Sequence, residues 1–132
     1  MTALVRGRRD TQTWLVHLSH LGLPVTDTAR SLRFYEAYFG FLPGTAQRYE
    51  DGTVIVRDTD GFDLALHQTQ DLGTPQPFLH FGFRLSRPED VRALLVRMEG
   101  DGIEIVERCD ESALVSFKCV DPDGHRVETY WE

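Results

Sequence analysis

The stretch His20–Val25, which reads HLGLPV, and residues 80–85, which read HFGFRL, decide the fold of this chain. Both follow the pattern His-apolar-Gly-apolar-any-apolar, and they are sixty residues apart. A pattern that recurs at a fixed offset predicts a duplicated structural unit. Because each copy starts with a histidine, the duplication places two imidazoles at equivalent points of two half-domains.

Further landmarks recur in the same order after each copy. A segment with helical periodicity ends at Gly40 and again at Gly100, and an Asp-x-Asp-Gly turn follows at 58–61 and at 121–124. The repeat therefore predicts a single domain over residues 14–132, made of a βαβββ unit at 14–70 and a second at 77–132. Residues 1–13 are polar and are expected to form a flexible N-terminal arm.

The elements of each unit follow from local patterns. Thr26 or Asp27 can cap a first helix, and residues 86–89 (Ser-Arg-Pro-Glu) resemble a capping box that starts a second helix. The apolar residues of the first helix recur at helical spacing: Ala29, Leu32, Phe34 or Tyr35, and Phe39. The predicted strands lie near residues 14–25, 42–49, 53–58 and 62–67 in the first unit, and near 78–85, 104–109, 113–118 and 125–131 in the second.

Composition narrows the function classes. The chain has 132 residues, 41% of them hydrophobic, and a net charge of -7. Such a charge argues against binding nucleic acid or an anionic membrane, and no apolar run is long enough for a membrane span. We expect a cytoplasmic protein with a small-molecule partner. Cys109 and Cys119 match neither a disulfide framework nor a Cys-x-x-Cys metal motif, which favours two reduced structural thiols.

Strand alternation predicts which side chains share a face. Leu21, Leu23 and Val25 are expected to pack on the first helix, and His20 then points to the opposite side. The same count in the other strands brings polar and charged side chains onto that side. They are His20, Asp63, His67, His80, Arg84, Arg126, Glu128 and Tyr130.

The repeated unit, the two His-x-Gly strands and the closing segment 121–128, which reads DPDGHRVE, resemble the vicinal oxygen chelate superfamily. This superfamily includes glyoxalase I, bleomycin-resistance proteins, extradiol dioxygenases and fosfomycin-resistance enzymes. The resemblance runs from about Val16 to the C-terminus. It implies an α+β fold in which two βαβββ units form a cupped mixed sheet with the helices on its outer face.

The resemblance also implies a metal site. Its ligand positions correspond to His20, His80 and Glu128, while the place in the first unit that corresponds to Glu128 holds Ala65, which cannot ligate. Two imidazoles and a carboxylate suit Fe, Mn, Zn or Ni with open coordination positions. A substrate is then expected to chelate the ion through two oxygens. His67 and Tyr130 become candidate proton-transfer groups, and Arg84 and Arg126 candidate substrate-binding groups.

Three functions remain open at this point. The first is a metal-dependent lyase, isomerase, thiol-transferase or extradiol dioxygenase. The second is a metal-free protein that binds and sequesters an antibiotic or a metabolite, and the third is a regulatory module with a vestigial cleft. A structural role for the site residues is also open, since Glu128 can pair with Arg84 or Arg126. We expect a homodimer, and the units can pair within one chain or across the dimer.

Overall fold

A computed structural model describes residues 16–132. The predicted flexible arm at 1–13 lies outside the described residues. The α+β class and the two successive βαβββ units are confirmed. The first unit contains β1 (His20–Val25), α1 (Thr28–Phe39), a 3₁₀ turn (Pro43–Thr45), β2 (Gln47–Arg48), β3 (Val54–Arg57) and β4 (Asp63–Gln68). The second unit contains β5 (Phe81–Arg84), α2 (Pro88–Gly100), β6 (Ile105–Asp110), β7 (Val115–Val120) and β8 (Arg126–Trp131).

Each unit forms its own four-stranded mixed sheet. The strand orders are β1-β4-β3-β2 and β5-β8-β7-β6, and in both sheets the first and last strands of the unit pair in parallel. The register of these parallel pairs is equivalent: Gly22 lies opposite Ala65, and Gly82 lies opposite Glu128. The structure therefore supports the duplication strand by strand, and it confirms that Ala65 occupies the position of Glu128.

Several predicted strand boundaries were wrong. Within the described residues, the strand that was predicted from residue 14 starts at His20, and the one predicted from residue 78 starts at Phe81. Phe78 has a φ of 65°, which an extended strand does not allow. The strand predicted at 42–49 shrinks to the two residues Gln47 and Arg48, since Pro43 starts a 3₁₀ turn there.

One hydrophobic core cluster includes residues of both units. Helix α1 packs on β4, while α2 packs on β7 and β8. Between the units, the ring of Phe39 stacks on Phe83 with centroids 4.4 Å apart, and Tyr35 contacts Phe81. The core thus leaves the opposite face of each sheet open. Among the described residues, neither helix has the length and apolar character of a membrane span.

Candidate metal centre

The alternation of β1, β5 and β8 places the candidate side chains on the open faces. In β1, Leu23 and Val25 are buried while His20, Gly22 and Pro24 are exposed. In β8, Val127 and Thr129 are buried, and the half-buried Glu128 and Tyr130 alternate with them. In β1 and β8, as predicted from alternation, the core side chains lie on one face and the candidate site side chains on the other.

The candidate residues fall into two groups, one on each sheet. His20 and His67 lie on the first sheet, where they pair in register with Asp63 and Pro24. The second sheet carries the other five. They are His80, Arg84, Arg126, Glu128 and Tyr130.

His80 and Glu128 lie next to each other on the second sheet. The distance from His80 Nε2 to Glu128 Oε1 is 3.4 Å, and the two side chains are 35% and 27% exposed. Residue 80 immediately precedes β5, and Glu128 lies opposite Gly82 in the parallel register. Because Gly82 has no side chain, Glu128 can lie close to the backbone of β5. An added Cβ there would come within 3.2 Å of Glu128 Cβ.

The separation of these two atoms fits a shared divalent ion. Two donor atoms bound at about 2.1 Å with a tetrahedral angle between them lie about 3.4 Å apart. A neutral imidazole and a carboxylate are also donors that Zn, Fe, Mn and Ni accept. His80 and Glu128 can therefore hold two coordination positions of one ion.

The described residues of one chain do not complete a three-ligand set. Across residues 16–132, no group of three or more His, Cys, Asp or Glu side chains is close enough to hold an ion. His20 lies near Asp63 instead, and Arg57 donates two hydrogen bonds to that carboxylate. The hydrogen bond from Arg57 is the main reason why the pKa of Asp63 is lowered, and the charges of Arg57 and His20 add to the effect.

The other predicted site residues have defined neighbours. His67 Nδ1 lies 3.1 Å from the hydroxyl of Thr53, and its ring edge stands beside Gly22. Arg84 donates to the carbonyl of Glu132 at 2.8 Å. Tyr130 lies beside Gly82.

The two arginines border different grooves. Arg84 and His80 line a groove of about 850 Å³, while Arg126 and His80 line a second groove of about 790 Å³. Since His80 belongs to both, the two grooves flank the candidate metal position. Within one chain the two arginines therefore line different grooves, which share His80.

Lys118 belongs to the same face, which the sequence analysis missed. It pairs in register with Glu128, and Nζ lies 3.2 Å from both carboxylate oxygens of Glu107. Its side chain is 18% exposed, so the charge is partly withdrawn from water. The alternation of β7, in which Val115, Phe117 and Cys119 are buried, would have revealed this position.

The cysteines take no part in this site. Cys119 is buried in the core, and burial raises the pKa of its thiol to about 12. Burial is also the main reason why the pKa of Cys109 is raised. Both groups therefore stay protonated at neutral pH, and a protonated thiol is a poor metal ligand.

A repeated βαβββ fold that presents an imidazole and a carboxylate on its open face is the architecture of the vicinal oxygen chelate class. The family match agrees with it: residues 17–129 match the Glyoxalase/Bleomycin resistance protein/Dioxygenase superfamily. The chain belongs to this superfamily.

Curated relatives include two bacterial enzymes. The chain is 28% identical over 118 residues to the glutathione transferase FosA of Serratia marcescens, covering 88% of this chain and 81% of that protein. It is 27% identical over 116 residues to a probable trivalent organoarsenical cleaving enzyme of Bacillus subtilis strain 168, covering 85% of this chain and 77% of the relative.

Solved structures share the fold. A possible glyoxalase from Bacillus cereus superposes with a TM-score of 0.73 at 28% identity, over 87% of this chain and 98% of that one. The fosfomycin resistance protein FosX from Listeria monocytogenes, complexed with Mn(II) and sulfate, gives a TM-score of 0.72 at 18% identity, over 89% and 90% of the two chains. At that identity the second likeness concerns the fold alone.

Proposed function

We propose that this protein is a metal-dependent enzyme that acts on a small oxygenated substrate. The observation that carries the proposal is the 3.4 Å approach of His80 Nε2 to Glu128 Oε1 on an open sheet face. A structural pair in a core would be closed off from solvent, whereas these two side chains remain partly exposed, and His80 borders both grooves. Membership of the superfamily adds support.

We infer that a homodimer completes the ligand set. His20 is exposed at the position of the first unit that corresponds to His80, yet Ala65 stands where Glu128 would be. The neighbouring carboxylate of Asp63 already accepts two hydrogen bonds from Arg57. His80 and Glu128 have the complementary deficiency, since no third ligand lies near them among residues 16–132. Pairing the first unit of one copy with the second unit of the other joins the two partial sets around one ion.

The remaining side chains supply binding and proton transfer in this proposal. Arg84 and Arg126 orient an anionic or polar part of the substrate from the two grooves, and His67 and Tyr130 are the candidate proton-transfer groups. A bound Fe, Mn, Zn or Ni ion would act as a Lewis acid toward two neighbouring oxygens of the substrate. We expect the enzyme to act in the cytoplasm.

The reaction type is left at four possibilities: lyase, isomerase, thiol-transferase or extradiol dioxygenase chemistry. The two curated relatives carry different activities, a glutathione transferase and an organoarsenical cleaving enzyme, at 28% and 27% identity. Such equal similarity favours neither activity for this chain. All four reaction types need a divalent ion with open coordination positions for the substrate.

Metal binding is the first test. We expect elemental analysis of protein purified without chelator to find one divalent ion per His80–Glu128 pair. His20→Ala, His80→Ala and Glu128→Gln should each weaken binding of Zn²⁺ or Mn²⁺ in calorimetry by about 100-fold or more, since each removes a direct ligand. His17→Ala is the matched control: it removes a histidine that precedes β1 and is not a proposed ligand, so it should bind like the wild type. A wild-type protein that binds none of the four metals contradicts the proposal and favours sequestration of a ligand without metal.

Mixed dimers test where the third ligand comes from. We expect a dimer by light scattering, and refolding His20→Ala together with His80→Ala should restore metal sites that neither variant has alone. Half of a random mixture is heterodimer with one intact site in two, so about one quarter of the wild-type capacity should return. If the mixture regains nothing while the wild type binds metal, the ligands come from one chain.

A further inference from the structure

We propose that the backbone carbonyl of Phe78 selects the tautomer of His80 and presets its imidazole for the metal, a role that rests on the proposed function. Phe78 is then a positioning residue that acts through its main chain. The proposal follows from three observations on the segment before β5: an unusual backbone angle, a hydrogen bond to the ring, and the direction in which the free nitrogen points.

The backbone of Phe78 is held in the left-handed region. Its φ is 65°, and among the described residues it is the one non-glycine with a positive φ. Pro77 precedes it, and Leu79 N donates to the carbonyl of Gln76 at 3.4 Å. Proline in the second position and a positive φ in the third are the features of a type II turn, which usually places glycine there. A phenylalanine in this position therefore carries strain that needs a reason.

Packing of the aromatic ring does not supply that reason. The residue is 96% exposed, so its side chain gains little from being held in this conformation. The main chain has a specific partner instead, since the carbonyl oxygen of Phe78 lies 2.8 Å from Nδ1 of His80.

The hydrogen bond determines which nitrogen is free. The carbonyl of Phe78 and the carboxylate of Glu128 can only accept, so the two compete for the proton of the neutral His80 ring. The contact of Nδ1 with the carbonyl is the shorter, 2.8 Å against 3.4 Å, and therefore favours the proton on Nδ1 and the lone pair on Nε2. That Nε2 is the atom facing Glu128 Oε1. A metal-bound imidazole commonly donates its other N–H to a carbonyl or carboxylate, and loss of such a partner lowers metal affinity about 10- to 100-fold.

His125 provides an internal contrast. Its Nε2 donates to the carbonyl of Pro24 at 2.7 Å, which uses the nitrogen that His80 leaves free. A carbonyl thus binds Nε2 in His125 and Nδ1 in His80. The bond of His125 belongs to the contact between the two units, whereas the bond of His80 leaves Nε2 facing the carboxylate of Glu128.

Two variants separate the backbone from the side chain of Phe78. Phe78→Asn removes the ring but keeps the left-handed conformation accessible, because asparagine is enriched there. Phe78→Val also removes the ring and disfavours that conformation, because a β-branched residue rarely adopts a positive φ. Long-range ¹H–¹⁵N NMR on metal-free protein at pH 8.5 reports the tautomer of the His80 ring, and calorimetry reports the affinity for Zn²⁺.

We expect the wild type and Phe78→Asn to show protonated Nδ1 and Zn²⁺ affinities within about threefold of each other. Phe78→Val should show a mixture of tautomers and bind Zn²⁺ about tenfold or more weakly, with circular dichroism unchanged. Equal behaviour of the two variants overturns the proposal, whether both bind like the wild type or both lose affinity. The NMR measurement needs no metal: a wild type with protonated Nδ1 but no affinity for metal contradicts the proposed function and leaves the tautomer selection standing.

Discussion

Some single residues of this protein stabilise the contact between the two βαβββ units and take no part in the candidate metal site. Tyr35 is the clearest case, because its hydroxyl on α1 donates to Asp121 Oδ2 at 2.6 Å, across the boundary between the units. Burial, followed by the charge of Asp121, raises the pKa of Tyr35 well above its ordinary value. The folded protein therefore favours the neutral form of the Tyr35 phenol over the ionised form.

Tyr35→Phe should lower the free energy of unfolding by about 1–3 kcal/mol, since it leaves a buried carboxylate oxygen without its donor. Urea denaturation at pH 7 measures the change. Tyr38→Phe is the matched control: its hydroxyl bonds to Asp101 on the surface, so we expect a loss of about 1 kcal/mol or less.

The difference between wild type and Tyr35→Phe should depend on pH. With its pKa raised in the folded state, Tyr35 contributes its full stabilisation below the unfolded pKa of about 10 and loses it as the pH rises toward the folded pKa. The gap should narrow above pH 10. A gap that stays constant up to pH 11 would show that the phenol ionises equally in both states.

At the scale of elements, the close parallel pairing of β5 with β8 shapes the candidate metal position. An added Cβ at Gly82 would lie 3.2 Å from both Glu128 Cβ and Glu128 O, and a backbone oxygen in a paired strand has little room to move. At Gly22 the atoms met are Nε2 and Cδ2 of the His67 ring, 3.2 and 3.4 Å away, and an exposed ring can rotate.

Gly82→Ala should therefore destabilise the fold by about 1–3 kcal/mol and weaken Zn²⁺ binding by displacing Glu128. Gly22→Ala is the matched change in the first unit, and we expect its stability to lie within about 1 kcal/mol of the wild type. Thermal denaturation and calorimetry on both variants make the comparison. A larger loss of stability in Gly22→Ala than in Gly82→Ala would contradict the idea that the tighter space lies between β5 and β8.

Helix α1 shows where local pattern and tertiary packing diverge. The apolar spacing predicts Ala29 on the buried face, but Ala29 is exposed while Thr28 and Ser31 are buried. Ser31 lies on the side that meets the turn of the second unit, with its Oγ 3.4 Å from Asp123 Oδ2, while the hydroxyl of Thr28 bonds to Gln68 in β4. The spacing of apolar residues does not reveal a buried helix face whose residues are polar and hydrogen-bonded.

For the whole molecule, the turn at 121–124 joins the two units. Asp123 is almost fully buried and accepts hydrogen bonds from the main chain and hydroxyl of Thr26 and from Arg30. The sequence predicts that both Asp-x-Asp-Gly motifs are only turns. The structure confirms the turns but gives the second one a further role, because its carboxylate reaches the start of α1.

Asp123→Ala should lower the free energy of unfolding by about 2–4 kcal/mol, since it removes several charge-assisted hydrogen bonds and leaves the part-buried donors of Thr26 unpaired. Asp60→Ala is the equivalent change in the first unit, and because Asp60 is exposed we expect a loss of about 0.5 kcal/mol or less. Equal losses in urea denaturation would contradict a special role for the second turn.

The sequence by itself determined the duplicated βαβββ pattern, the superfamily and the faces of the strands. Periodicity and repeats are local or fixed-offset signals, so the alternation of Leu23 and Val25 with His20 and Gly22 can be read from the chain directly. The equivalence of Ala65 and Glu128 was also accessible, because it depends only on the repeat.

Tertiary structure alone decided which candidates meet. His80 contacts Glu128 while His20 lies in another sheet, and that division depends on strand pairing across long sequence separations. The left-handed backbone at Phe78 and the burial of Asp123 were likewise beyond pattern analysis. The physical reason is that a side chain's neighbours are set by the packing of whole units, whereas periodicity reports only the direction in which a side chain leaves its own strand or helix.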